Sequence, residues 1–295
     1  MLALGSGAVA VAAAAGITAF ELVDHGVLPG KAELDRLDGA CSVASPPLAY
    51  QPLGPAHEGT FYSAARNRAV GYTIAYPPGH RPADEGKELP LVIMLHGYGG
   101  NHTDALVGMS PAQALAIKPP LRPMALATVD GGNGYWTPHP GDDPMAMVID
   151  EFIPLCQRLG LGRNPQPIAT MGISMGGYGA LLLAEKYPDL IDAVAAISPA
   201  IWTSYPQARA ANPTAYASAA AFAANDAVTH AAALARHPVR VAGGTDDPFY
   251  PGVQILAKAL PPGAVVHTAP GCHTNPFFLA QEPPSLAFLA AHLTR

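Results

Sequence analysis

The sequence predicts an α/β domain built on a mostly parallel sheet, and three observations point there. Short apolar runs bounded by glycine and proline recur along the chain. They alternate with stretches whose apolar residues fall three or four positions apart, the period of a helix. The strand-like runs are continuously apolar, as strands covered on both faces must be. In such a sheet, loops that follow the strands gather at one edge, where ligands bind.

The elements follow in order. "GTFYSAARNRAVGYTIAYPPG" reads as two strands around a turn near Arg66, Asn67 and Arg68. "LPLVIMLHG", 89–97, and "MALATVDG", 124–131, are buried strands. "MAMVIDEFIPLCQRLGL" is a helix. "QPIATMGIS" is a strand, followed by the helix "MGGYGALLLAEKYPDL", which Pro188 stops. "IDAVAAISPA", "HPVRVAGGTDDP" and "GAVVHTAPGCH" supply further strands, and "PPSLAFLAAHLTR" closes the chain as a helix. Residues 21–58 form an N-terminal extension ahead of the domain at 59–295. Within it "SPPLAYQPLGP" is extended, because proline restricts its own residue and the one before it.

Composition narrows the function. Of 295 residues, 49% are hydrophobic, enough for one large core with extensions. Only 13% are charged and the net charge is −6, so no basic stripe for nucleic acid is expected. Three cysteines, Cys41, Cys156 and Cys272, lack zinc-site spacing, and no metal is expected. Met1 to Phe20 carries no charged side chain. It reads as a signal segment or membrane anchor and predicts export, secreted or held at the cell envelope.

The stretch Gly172-Ile173-Ser174-Met175-Gly176 is G-x-S-x-G between a strand and a helix. That context is the one a nucleophile elbow requires. The sharp turn lifts the Ser174 hydroxyl above the sheet, and the helix N-terminus faces developing negative charge. The competing reading is a glycine-rich turn whose serine merely caps the helix. A serine nucleophile needs a base and an orienting acid, here in the order Ser, Asp, His. "VAGGTDDPFY" follows a strand and offers Asp246 and Asp247. "TAPGCHTNPFF" follows the last strand and offers His273. His96, His267 and His292 lie before the serine, inside a strand and in the closing helix. For the oxyanion, one donor is the Met175 N–H. The other is the Tyr98 N–H in the glycine-rich loop "LHGYGGNHTD".

With LHGYGG, GISMGG, GTDDP and GCH in this order, residues 60–295 resemble the α/β-hydrolase superfamily. Within it the chain is similar to the "putative esterase" group of esterase D (S-formylglutathione hydrolase), feruloyl esterases and antigen 85 mycolyltransferases. The resemblance implies carboxylester hydrolysis through an acyl-enzyme, on small-molecule or lipid esters, without a cofactor. It carries Ser174, His273 and one aspartate over as a triad, with Tyr98 and Met175 as oxyanion donors. Related hydrolases commonly carry G-x-x-D in the acid loop, and both Gly243 and Gly244 start one. Pro248 favours Asp247, because it biases that residue toward extended backbone. Two alternatives stay open: an acyltransferase of the antigen 85 type, and a silent binding protein on the same fold.

Further expectations concern the surroundings. "DGGNGYWTPHPGDDP", 130–144, should lie on the active edge, where Trp136 and His139 could touch substrate; Asp142 and Asp143 begin the next helix. Residues 201–236 form a small helical cap-like insertion that offers Trp202, Tyr205 and Tyr216 as pocket walls. Cys156 sits at an apolar helix position and reads as a buried thiol. Export would then pair Cys41 with Cys272.

Overall fold

A computed structural model describes residues 41, 43–44, 47–81 and 88–293. The predicted apolar segment at 1–20, and most of the extension that follows it, lie outside the described residues. Among the described residues no helix is long and apolar enough to cross a membrane.

Eight strands form one sheet in the order β1-β2-β4-β3-β5-β6-β7-β8. The first hairpin, β1 (Ala56–Ser63) and β2 (Arg68–Ala75), is antiparallel and turns where the sequence indicated. Its second strand lies antiparallel to β4 (Ala125–Val129). All remaining pairs, among β3 (Leu91–Leu95), β4, β5 (Ile168–Ile173), β6 (Ala193–Ile197), β7 (Val239–Gly244) and β8 (Val265–Ala269), are parallel. Alternate residues of β3 enter opposite cores. Leu91, Ile93 and Leu95 pack on one face, Val92 and Met94 on the other. A strand buried twice in this way needs an apolar residue at every position, hence the unbroken run.

Two helical layers cover the sheet. On one face lie α2, a continuous run over 144–158, and α3 (Met175–Lys186). The other face holds α1 (Pro111–Leu115) and α8 (Asn275–His292). The run α2 contains a π-helical turn, Met147–Phe152, just before Pro154. Proline has no N–H to give to the helical ladder, and a wider turn takes up the slip.

The structure differs from the sequence reading at three elements. Helix α1 had no long periodic pattern; a Ser110–Gln113 capping box starts it. Helix α7 (Tyr250–Ala259) buries Val253 and Leu256, a pair three apart that a short window hides. The closing helix α8 begins at Asn275, well before Pro283 and Pro284, which sit inside it. Phe277 and Phe278 before the prolines and Leu286 and Leu289 after them enter the same core, so packing overrides the local break. Between β6 and β7 the chain forms α4 (Tyr205–Ala211), α5 (Ala219–Ala224), α6 (Ala227–His230) and a 3-10 turn, Ala231–Arg236.

Cys41 and Cys272 form a disulfide with Cα atoms 4.9 Å apart, across 231 residues of sequence. Cys156 is a buried free thiol. Burial pushes its pKa up to about 12, which keeps it protonated and inert.

Candidate active site

Ser174 joins β5 to α3 with φ 57° and ψ −120°, a conformation non-glycine residues seldom adopt. Such backbone costs about 1–3 kcal/mol and persists only where neighbours hold it. Here the Ser174 N–H donates to Ile197 O at 2.9 Å. Its carbonyl accepts from Tyr178 N and Ala200 N, both at 3.0 Å. The flanking glycines are required by contact. A Cβ on Gly176 would lie 1.8 Å from Leu95 O, and one on Gly172 would lie 2.2 Å from Gly176 backbone atoms. Both clashes are with backbone, so no rotamer relieves them.

His273, in the loop after β8, reaches Ser174 Oγ through Nε2 at 2.8 Å. Its Nδ1 meets Asp247 Oδ2, also at 2.8 Å. A carboxylate can only accept, so Nδ1 carries the hydrogen and Nε2 offers a lone pair to the serine hydroxyl. Asp247 is 4% exposed, and its Oδ1 accepts the Phe249 N–H at 2.8 Å. The imidazole packs edge-on between Phe249 and Phe278, with centroids 5.1 and 5.0 Å away. Asp246 points elsewhere. Its Oδ2 accepts from Thr245 Oγ1 and from Gly271 N, tying the β7 and β8 loops together. Of the two adjacent aspartates, Asp247 is the one brought to the histidine.

The loop after β3 completes the arrangement. Gly97 O accepts from His96 Nδ1 at 2.7 Å and from Gly100 N at 3.1 Å. A trans peptide places its N–H opposite its carbonyl, so the Tyr98 N–H faces away from those bonds. Gly99 N–H is taken by Asn133 Oδ1 at 2.7 Å. Met175 opens α3, where the first N–H groups have no acceptor within the helix. Buried His96 holds this loop. Its Nε2 accepts the Gly131 N–H at 2.9 Å, and burial lowers its pKa, favouring the neutral ring that this double bonding needs. Sequence reading set His96 aside as a base without giving it a bracing role, and passed over Asn133, Phe249 and Phe278. For His96 and Asn133 the available signal was their place in glycine-rich loops at the active edge; the two phenylalanines gave none.

Ser174, His273 and the 97–100 backbone line one cleft of about 410 Å³, walled by Val107 and Phe278. A neighbouring hollow of about 460 Å³ lies beyond Phe249. Of the three expected substrate contacts, the structure places Trp136 and His139 away from the cleft and Trp202 in the neighbouring hollow. Trp136 is 1% exposed and packs on His96, its indole donating to His96 O, so it supports the loop from inside. His139 bonds through Nε2 to Gly134 O at 3.0 Å and closes its own loop, outside the cleft. Trp202 stacks edge-on against Phe249 and lines the neighbouring hollow, with Phe249 between it and His273. Asp143 caps α2 as expected, whereas Asp142 pairs with Arg66 and Arg68. Tyr216 is buried among Tyr135, Tyr178 and Phe222 rather than lining a wall. Among the described residues no three His, Cys, Asp or Glu side chains converge as a metal site needs.

The fold is shared with solved esterase structures. A ferulic acid esterase superposes with TM-score 0.67 at 20% identity, over 83% of this chain and 100% of its own. An S-formylglutathione hydrolase from Agrobacterium tumefaciens gives 0.64 at 17% identity, over 84% and 99%. At such identities the likeness speaks for the fold. In sequence, the chain is 32% identical over 141 residues to the "Putative esterase NocK" of Nocardia uniformis subsp. tsuyamanensis, 46% of this chain and 39% of that protein. It is also 32% identical over 116 residues to the mouse (Mus musculus) sn-1-specific diacylglycerol lipase, 39% of this chain and 34% of that protein. The chain thus matches well under half the length of either curated relative. A family model described as "Putative esterase" matches residues 63–260, more than half of the chain, and the chain belongs to that family.

Proposed function

We propose that the protein is a serine carboxylester hydrolase working through an acyl-enzyme. The observation that carries this reading is the continuous line Asp247–His273–Ser174, with both links at 2.8 Å, ending on a strained elbow serine. His273 Nε2 takes the hydroxyl proton as Ser174 Oγ attacks the ester carbonyl. Asp247 holds the reactive tautomer and stabilises the imidazolium. The Met175 and Tyr98 N–H groups bind the oxyanion, and the alcohol leaves with the proton from His273. Water, activated by the same histidine, then attacks the acyl-serine and releases the acid. The substrate is a small ester whose reacting part fits the 410 Å³ cleft. Family membership supports the same chemistry.

The test is covalent labelling together with turnover. A fluorophosphonate should label Ser174, and Ser174→Ala should abolish labelling and lower hydrolysis of p-nitrophenyl esters by several powers of ten. Near-native turnover by a folded Ser174→Ala protein would refute the assignment. Export is part of the proposal. The uncharged run Met1 to Phe20 supports it, and the Cys41–Cys272 disulfide suits an oxidising compartment. A non-reducing peptide map of protein from its native host should contain the Cys41–Cys272 cross-link.

A further inference from the structure

Charge is distributed unevenly around the cleft. Its walls are apolar or neutral: Ala105, Val107, Ile173, Phe278, Asn275 and the glycine-rich backbone. Among the described residues, Asp104 is the one carboxylate that lines it, and no lysine or arginine does. The other titratable lining groups are the Tyr98 phenol and His273, the latter backed by Asp247. Asp247 is buried behind the imidazole, its carboxylate engaged by the His273 Nδ1–H and the Phe249 N–H, so it does not face the cleft. Asp104 does line the cleft, with no lysine or arginine beside it among the described lining residues.

Nor is Asp104 loosely placed. Its Oδ1 accepts the Asn101 N–H at 2.5 Å, and its own N–H donates to Asn101 O at 3.4 Å. The same oxygen lies against Gly100, where a Cβ would stand 3.1 Å away. One oxygen therefore closes a turn continuous with the loop that carries Tyr98. The carboxylate is thus held at the exposed rim of the cleft that contains Ser174. The chain's net charge of −6 adds a field of the same sign.

We propose that Asp104 makes the cleft charge-selective, so that neutral and cationic esters are favoured over esters whose acyl chain carries a carboxylate. The proposal rests on the serine-esterase reading and names the substrate class for it. Its size follows from Coulomb's law. Two unit charges about 6 Å apart, in a partly wet cleft, change binding by roughly three- to tenfold.

Three p-nitrophenyl esters of similar length provide the test: hexanoate, 6-aminohexanoate and the adipate monoester. In wild type at low salt, kcat/KM relative to the hexanoate should be about three- to tenfold lower for the adipate and about three- to tenfold higher for the 6-aminohexanoate, a spread of roughly ten- to a hundredfold. Added 0.5 M salt should shrink this spread, because the Debye length falls to about 4 Å. Asp104→Asn keeps an oxygen for the Asn101 N–H and removes the charge, so both ratios should move toward one. Asp104→Ser serves the same purpose should the first variant fold poorly. Ratios that survive the substitution, or a wild type indifferent to ester charge, would overturn the proposal and leave the esterase reading intact. The esterase reading fails separately if hexanoate is not turned over and Ser174 resists fluorophosphonate. In that case a silent site overturns both.

Discussion

Replacing Glu185 with glutamine should stabilise the protein, and more so as pH rises. Glu185 sits near the C-terminal end of α3, the helix that follows Ser174, is 6% exposed, and has both carboxyl oxygens buried without a hydrogen-bond partner. Burial pushes its pKa up to about 9, with Asp226 adding to the rise and Lys186 opposing it. The folded chain therefore keeps this proton up to about pH 9, while the unfolded chain gives it up near 4.5. Across that window the unfolded state binds fewer protons, so stability falls as pH rises, by about 1.4 kcal/mol per unit. At pH 7 the accumulated cost is about 3 kcal/mol. Glu185→Gln keeps the shape and removes the titration. For a chain of this size, 1 kcal/mol corresponds to about 2–4 °C in melting temperature. The variant should melt about 5–10 °C higher than wild type near pH 7 and almost together with it near pH 4.5, by calorimetry or circular dichroism. Some pH slope should remain, because burial raises Glu282 to about 8, with a Val107 N–H bond opposing the rise. A variant no more stable than wild type at pH 7, or a gain equal at both pH values, would refute the reasoning.

Three further outcomes are expected. Asp247→Asn should lower kcat by several powers of ten, because an amide no longer holds the reactive imidazole tautomer; Asp246→Asn should cost far less, as its bonds go to Thr245 and Gly271. Gly176→Ala should give little folded protein or lose labelling of Ser174, since its methyl must displace Leu95 O; soluble, fully active protein would contradict the elbow geometry. Reducing the disulfide, or Cys41→Ser, should destabilise the fold by about 2–5 kcal/mol in denaturant titration, because a 231-residue separation is bridged.

How much of this was legible in the sequence depends on how local each cause is. The parallel strands were readable because burial on both faces demands an apolar residue at every position, as in Leu91–Leu95. The elbow was readable because Gly172 and Gly176 are fixed by backbone contacts within one turn and its neighbour strand. Asp247 and His273 followed from chain order after their strands, and Pro248 distinguished Asp247 from Asp246. The helix α8 was misjudged because proline speaks locally, whereas the packing of Phe277 and Leu286 is tertiary. Trp136 was misplaced for a related reason. Its loop does lie on the active edge, but a positive φ of 57° turns the ring inward. There Gly131 and Gly179 leave the room it needs, and nothing in the residues nearby announces that direction.

The inward Trp136 and His96 belong to one device. An oxyanion donor is useful only if it points at the developing charge before the reaction begins. In the loop after β3, glycine gives freedom rather than direction, so direction must come from outside the loop. His96 supplies it by donating from Nδ1 to Gly97 O while Nε2 is pinned by the Gly131 N–H. The histidine is in turn pressed by the Trp136 ring at 5.1 Å, and the indole N–H donates to His96 O. Asn133, from the same segment as Trp136, takes the Gly99 N–H. The 130–144 segment therefore acts on the site through the loop it braces rather than through substrate. A substitution there should lower kcat while leaving KM nearly unchanged, since the cleft walls at Val107 and Phe278 are untouched.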